Sequence, residues 1–77
     1  MNGFKVEGKI IEIKEDRTIL LKNTSRTIIT ISCSSKIEIG KYNMGEMVEI
    51  SGYITTYKPL LAIRLVATKI TRKVNGD

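Results

Sequence analysis

Histidine, glutamine and tryptophan are missing from this 77-residue chain, and cysteine and proline each occur once, as Cys33 and Pro59. One cysteine excludes an intrachain disulfide framework, and without histidine a Cys/His zinc site has too few ligands. Aromatic residues are scarce, with one phenylalanine and three tyrosines. No apolar run nears the ~20 residues of a membrane-spanning helix, and the first residues hold no apolar signal core. These absences lead to the expectation of a cytoplasmic protein that is not secreted, so the glycosylation pattern Asn23-Thr24-Ser25 reads as a chance match. Neither G-x-x-x-x-G-K-[ST] nor G-x-G-x-x-G occurs. Glu7, Glu12, Glu38 and Glu49 alternate with apolar residues, as on a solvated sheet face. The expectation is therefore a non-enzyme with no cofactor and no metal.

What the chain does have is β-branched hydrophobicity. Hydrophobic residues make up 42%, thirteen of them isoleucine. That composition excludes an intrinsically disordered chain. The length suits one domain with a small core, burying ~60% of its unfolded surface. Thirteen Lys and Arg against eight Asp and Glu give a net charge of +5. Such an excess favours an anionic partner, nucleic acid first among them.

Helix formers never gather into a 3.6-residue stripe, whereas β-branched and polar residues alternate along most of the chain. Phe4 to Lys14 reads as a first strand. Phe4, Val6, Gly8 and Ile10 share one parity and Ile11 and Ile13 the other, so a bulge or sharp coil is expected near Gly8. Glu15-Asp16-Arg17 is a turn. Thr18 to Asn23 is a second strand, with Ile19 and Leu21 inward and Leu20 outside. Arg26 to Cys33 is a third, with Ile29, Ile31 and Cys33 inward and Ile28, Thr30 and Ser32 outward; Cys33 reads as a buried, inert thiol. Residues 34–46, broken by Gly40 and Gly45, hold at most a short strand or one helical turn at Lys36–Ile39. Met47 to Tyr57 is a fourth strand, with Val48, Ile50, Gly52 and Ile54 on one side. Leu60 to Lys73 is a fifth. Leu61, Ile63 and Leu65 share a parity that Ile70 breaks, which places a second bulge near Val66-Ala67. Residues 1–73 form the domain, and residues 74–77 are a tail expected to fray.

Five strands, the first and last long and bent, predict an all-β fold: a small closed or partly open barrel with little or no helix between strands three and four. Val6-Glu7-Gly8-Lys9-Ile10-Ile11-Glu12-Ile13 resembles the V-x-G-x-V-x-x-I opening strand of OB-fold nucleic-acid-binding domains. Gly45-Glu46-Met47-Val48-Glu49-Ile50-Ser51-Gly52-Tyr53-Ile54 resembles their G-x-x-V-x-V-x-G-x-V fourth strand, found in tRNA-anticodon-binding domains and in modules of the replication protein A type. The opening strand is also similar to that of the bacterial initiation-factor-one domain.

The resemblance implies that nucleic acid lies across strands two and three, between the loop joining strands one and two and the loop joining four and five. Mapped onto this chain, it assigns Lys14 and Arg17 to the first loop, and Lys22, Arg26 and Thr30 to the face and its hairpin end. Tyr53 belongs to strand four, and Tyr57 and Lys58 to the second loop. Cations there neutralise phosphates, and a tyrosine under an unpaired base contributes ~1–3 kcal/mol. Each residue also has a plainer reading. The tyrosines cover the sheet or seal a barrel end, Tyr42 packs, and edge lysines prevent strand-to-strand association. Lys69, Arg72 and Lys73 track phosphates or form a solvated strand end. The implied partner is single-stranded DNA or RNA bound with low sequence specificity. The alternatives are a protein–protein adaptor or homodimer joined through a Leu20–Ile28 apolar patch, within a replication, repair or translation assembly, and an RNA-binding factor like those of translation initiation.

Overall fold

Alternating isoleucine, valine and threonine hold the backbone in the extended region, where a branched side chain packs against its cross-strand neighbours. The computed structural model describes residues 2–57 and 62–73. Within them lie β1 (Gly3–Ile13), β2 (Thr18–Lys22), β3 (Ile28–Cys33), a single 3-10 turn at Ile39–Lys41, β4 (Met47–Tyr57) and β5 (Ala62–Arg72). The strands close into a barrel in the order β1-β2-β3-β5-β4, with β4 returning to β1. β3 begins two residues later than the alternation suggests, because Arg26 adopts φ 66° and belongs to the turn before it. The expected tail at 74–77, with Lys58 and Pro59, lies outside the described residues.

Both long strands carry the extra residue that curvature demands. On β1, Ile10 pairs with Leu21 and Glu12 with Leu20, so Ile11 is bulged. The bulge therefore sits three residues beyond Gly8, and it is where β1 leaves β4 and continues against β2. On β5, Lys69 pairs with Ser51 and Ala67 with Gly52, which leaves Thr68 as the extra residue, one position past the expected site. Each bulge flips parity, so Val6 and Ile10 before the first, and Ile13 after it, all contribute to the core.

The two motif glycines serve a different need from the bulges. A Cβ on Gly8 would stand 2.5 Å from the Lys22 carbonyl oxygen, and one on Gly52 would overlap the Val66 carbonyl. At both places a neighbouring strand crosses so closely that a side chain is excluded. Around these crossings Ile10, Ile19, Leu21, Ile31, Val48, Ile50 and Ala67 are fully buried, and Ile37 caps them from the β3–β4 connection. No polar or charged residue is buried among the described residues.

Closure is uneven. β4 and β5 pair from Val48–Arg72 to Tyr57–Ala62, whereas β3 meets β5 only at Ser32–Val66 and Cys33–Ala67, in parallel. The outer parts of β4 and β5 thus run on as a two-stranded arm beyond the seam. This is why Ile63, which shares the parity of Leu65, is 73% exposed opposite Thr56: the arm carries that face past the core.

Candidate functional site

The two hairpins bordering β2 are built alike. Lys14 N–H donates to Thr18 O and Arg17 N–H to Lys14 O; in the second, Asn23 N–H donates to Thr27 O and Arg26 N–H to Asn23 O. Asp16 and Asn23 each accept a backbone N–H with a side-chain oxygen, from Thr18 and Thr27. The fourth residue of each turn is an arginine in the left-handed region, at φ 69° for Arg17 and 66° for Arg26. This is the geometry of a hairpin loop whose left-handed position glycine usually fills.

The two arginines then diverge. Arg17 is half-buried, and its Nη2 donates to Ser34 O at 2.5 Å and Ile37 O at 2.6 Å. Its guanidinium thus pins the 34–37 turn, and with it the Ile37 cap, against the end of the barrel. The family resemblance assigns Arg17 to the first loop as a phosphate-neutralising cation; here both bonds of its Nη2 run to backbone carbonyls of the same molecule. Arg26 is exposed at the opposite end of β2.

Between the hairpins the register lays out the face. Thr18 stands opposite Ser32, Leu20 opposite Thr30, and Lys22 opposite Ile28. Thr30, Lys22 and Ile28 are exposed, Ile28 at 55%, while Leu20 is half-buried. Lys14 borders the Thr18 end, and Lys22 with Arg26 the other. Beyond β3, where the seam with β5 opens, a groove of about 260 Å³ is lined by Thr30, Ser32 and residues 62–65. Tyr53, 39% exposed, pairs with Val66, which pairs with Ser32. Tyr53 therefore stands two strand spacings, ~10 Å, from Ser32, across Val66 and outside the groove's lining. Tyr57 ends β4, but its side chain and all of Lys58 lie outside the described residues. The β5 wall of this groove has no signature in the sequence, because only the register shows that β5 parts from β3 after two pairs.

A second group of charges, around the β3–β4 connection and the end of β5, holds the fold. Arg72 donates through Nε to Glu46 at 2.6 Å and through Nη2 to Lys41 O, and its guanidinium lies 4.8 Å over the Tyr42 ring. Tyr42 O–H reaches Ile70 O at 3.4 Å, so Tyr42 packs and the cluster ties the β3–β4 connection to β5. The Arg72 hydrogen bond, with the Asn43 N–H, holds the Glu46 carboxyl below its ordinary range. Lys73 pairs with Glu7 at 3.4 Å and Lys41 with Glu38 at 2.5 Å. Burial raises the Cys33 thiol above its usual pKa, although Arg17 opposes this, so thiolate is disfavoured. Among the described residues, no group of three or more acidic or cysteine side chains converges as a metal site would require. No described helix is long and apolar enough to cross a membrane.

A scan against protein-family models finds no match, and a search of curated proteins finds none. Among solved structures, the chain is similar to the dimeric N-terminal domain of the PriB protein from Thermoanaerobacter tencongensis. The TM-score is 0.65 at 20% identity, covering 95% of this chain and 97% of that one. At that identity the likeness is one of fold, and it agrees with the five-stranded closed barrel: this chain is an OB-fold.

Proposed function

We propose that this barrel is a non-catalytic module that binds single-stranded nucleic acid, DNA or RNA, with little sequence preference. The observation that carries the reading is the outward face of β2 and β3. It is bordered by Lys14 at one end and by Lys22 and Arg26 at the other, and it opens into the groove beside β5. On this reading the cations neutralise backbone phosphates, Thr30 donates to phosphate or base edges, and exposed Ile28 gives an apolar surface for bases. Tyr53 stacks on a base, and Tyr57 and Lys58 supply a second stacking ring and a further cation. Arg17 takes no part, since its guanidinium serves the fold.

The test is fluorescence polarisation with single- and double-stranded DNA and RNA oligonucleotides at low and high salt. Binding to single strands, with an affinity that falls steeply with salt, is expected. Tyr53→Ala should weaken binding by ~1–3 kcal/mol, the range for one lost stacking partner, without moving the melting temperature. Absence of binding to every oligonucleotide would leave the second reading, a protein–protein adaptor or homodimer. That reading is favoured by the dimeric state of the PriB domain and by the exposure of Ile63 and Ile28. Sedimentation analysis would detect the homodimer directly.

A further inference from the structure

Lys9 and Lys22 stand directly opposite each other on β1 and β2, and both are exposed. Like charges so placed on a sheet face destabilise it. Among the described residues, the ion pairs are Lys41–Glu38, Arg72–Glu46 and Lys73–Glu7, so no carboxylate offsets either lysine. Of the nearby carboxylates, Glu12 opposite Leu20 and Glu49 opposite Glu7 make no ion pair with either lysine, and the other two are already engaged. Glu7, two residues from Lys9 on the same face, holds Lys73, and Glu46, beside Lys9's β4 partner Met47, holds Arg72.

The paired lysines are not on a flat surface. With Asn23, Thr24 and Met47 they wall a hollow of about 250 Å³. Asn23 Oδ1 accepts the Thr27 N–H. That leaves the amide NH2 of Asn23 as a donor, beside the Thr24 hydroxyl and two ammonium groups. The hollow's walls are mostly apolar, the lysine stems and Met47, and the polar groups it does present are donors and cations with no carboxylate, which suits a phosphate oxyanion.

We infer that this hollow seats a backbone phosphate of the same nucleic-acid strand that crosses β2 and β3, an inference that rests on the function proposed above. It adds Lys9 and the Asn23–Thr24 turn to the binding surface. The path runs from the β5 groove over Thr30 and Ile28, across Lys22, to Lys9. It spans β5, β3, β2 and β1, three strand spacings or ~14 Å. A bound phosphate also relieves the repulsion between the lysines, so the pair contributes more to the complex than to the free protein.

The experiment compares the unaltered chain with two double variants, Lys9→Ala/Lys22→Ala and Lys5→Ala/Lys69→Ala. Each variant loses the same charge. Lys5 and Lys69 flank Ser51 on the β1–β4–β5 side of the barrel. Binding of a labelled oligothymidylate is titrated across a salt series, and melting temperatures are recorded without ligand. In Lys9→Ala/Lys22→Ala, the slope of log affinity against log salt should fall by ~0.7, the value for one phosphate of a single strand no longer neutralised. Its melting temperature should hold or rise, and the slope of the other variant should stay unchanged. Binding by the unaltered chain with no slope change in Lys9→Ala/Lys22→Ala overturns the site alone. So does an equal slope loss in both variants, or a fall in the melting temperature of the first. No binding by the unaltered chain overturns the proposed function and the site together.

Discussion

Arg17 and Arg26 occupy equivalent left-handed positions, yet opposite substitution outcomes are expected. The left-handed region costs a non-glycine residue ~1–2 kcal/mol, offset in part by the entropy glycine loses on folding. Arg26→Gly should therefore raise stability by roughly 0.5 kcal/mol, read as a higher urea midpoint with an unchanged slope. Arg17→Ala keeps the strain and removes two charged hydrogen bonds from the Ser34 and Ile37 carbonyls. Hydrogen bonds to charged groups contribute ~1.5–3 kcal/mol each, but both come from one nitrogen of a half-buried guanidinium that water partly screens, so a loss of about 2 kcal/mol, below the simple sum, is expected in the same measurement. A stable Arg17→Ala variant would mean that the Ile37 cap holds without its pin. The pairing of turn type with residue was only half legible in the sequence. The turns were, through Asp16, Asn23 and their neighbours. The inward course of Arg17 was not, because its partners are backbone carbonyls 17 and 20 residues away.

Among the strands, β4 and β5 are joined by the tightest crossing in the barrel. The Gly52 Cα faces the Val66 carbonyl where Thr68 is bulged from the ladder, and any Cβ must push the two strands apart. Overpacking of this kind costs ~1–3 kcal/mol and sometimes more; against rigid backbone, about 3 kcal/mol is expected for Gly52→Ala. For a domain of this size that corresponds to a melting temperature lower by roughly 12–24 °C. Both bulges were foreshadowed by the parity breaks at Ile11 and Ile70. Their displacement by one to three residues was not, since a bulge settles where one strand passes between two neighbours. The β3–β4 connection gives a different prediction. Glu46 has its carboxyl depressed below the ordinary value of 4.5, chiefly by the Arg72 hydrogen bond and then by the Asn43 N–H. A depressed carboxyl stabilises the fold above its unfolded pKa, and the contribution fades as pH falls through the folded one. Thermal melts from neutral pH down through pH 4 should show Glu46→Gln less stable than the unaltered chain at neutral pH. The difference should narrow in acid. A constant gap would disconnect the carboxylate from the effect.

For the molecule as a whole, the alternation of apolar residues was enough to anticipate a barrel, because five bent amphipathic strands leave few other ways to bury one face. The unequal seams could not be anticipated, since sequence periodicity fixes which face is inward and says nothing of how many residues two strands share. That inequality should be visible in native-state hydrogen exchange. The amides of β5 at the Ser32–Val66 and Cys33–Ala67 seam should exchange faster than those of β4 and β5 around Ile50 and Ile70. The amides of residues 62–65, on the arm beyond the seam, should be faster still. Uniform protection along β5 would contradict a barrel held shut at one place by two residue pairs.

β5 alone joins β3 to β4, so a chain lacking it would bare the flanks of both at once. During synthesis β1 to β4 emerge first, and the incomplete sheet presents two unsatisfied rows of backbone donors and acceptors to its neighbours. Its passage through the cell's crowded interior is therefore safest when residues 62–73 follow without pause, and a stalled or truncated product should self-associate.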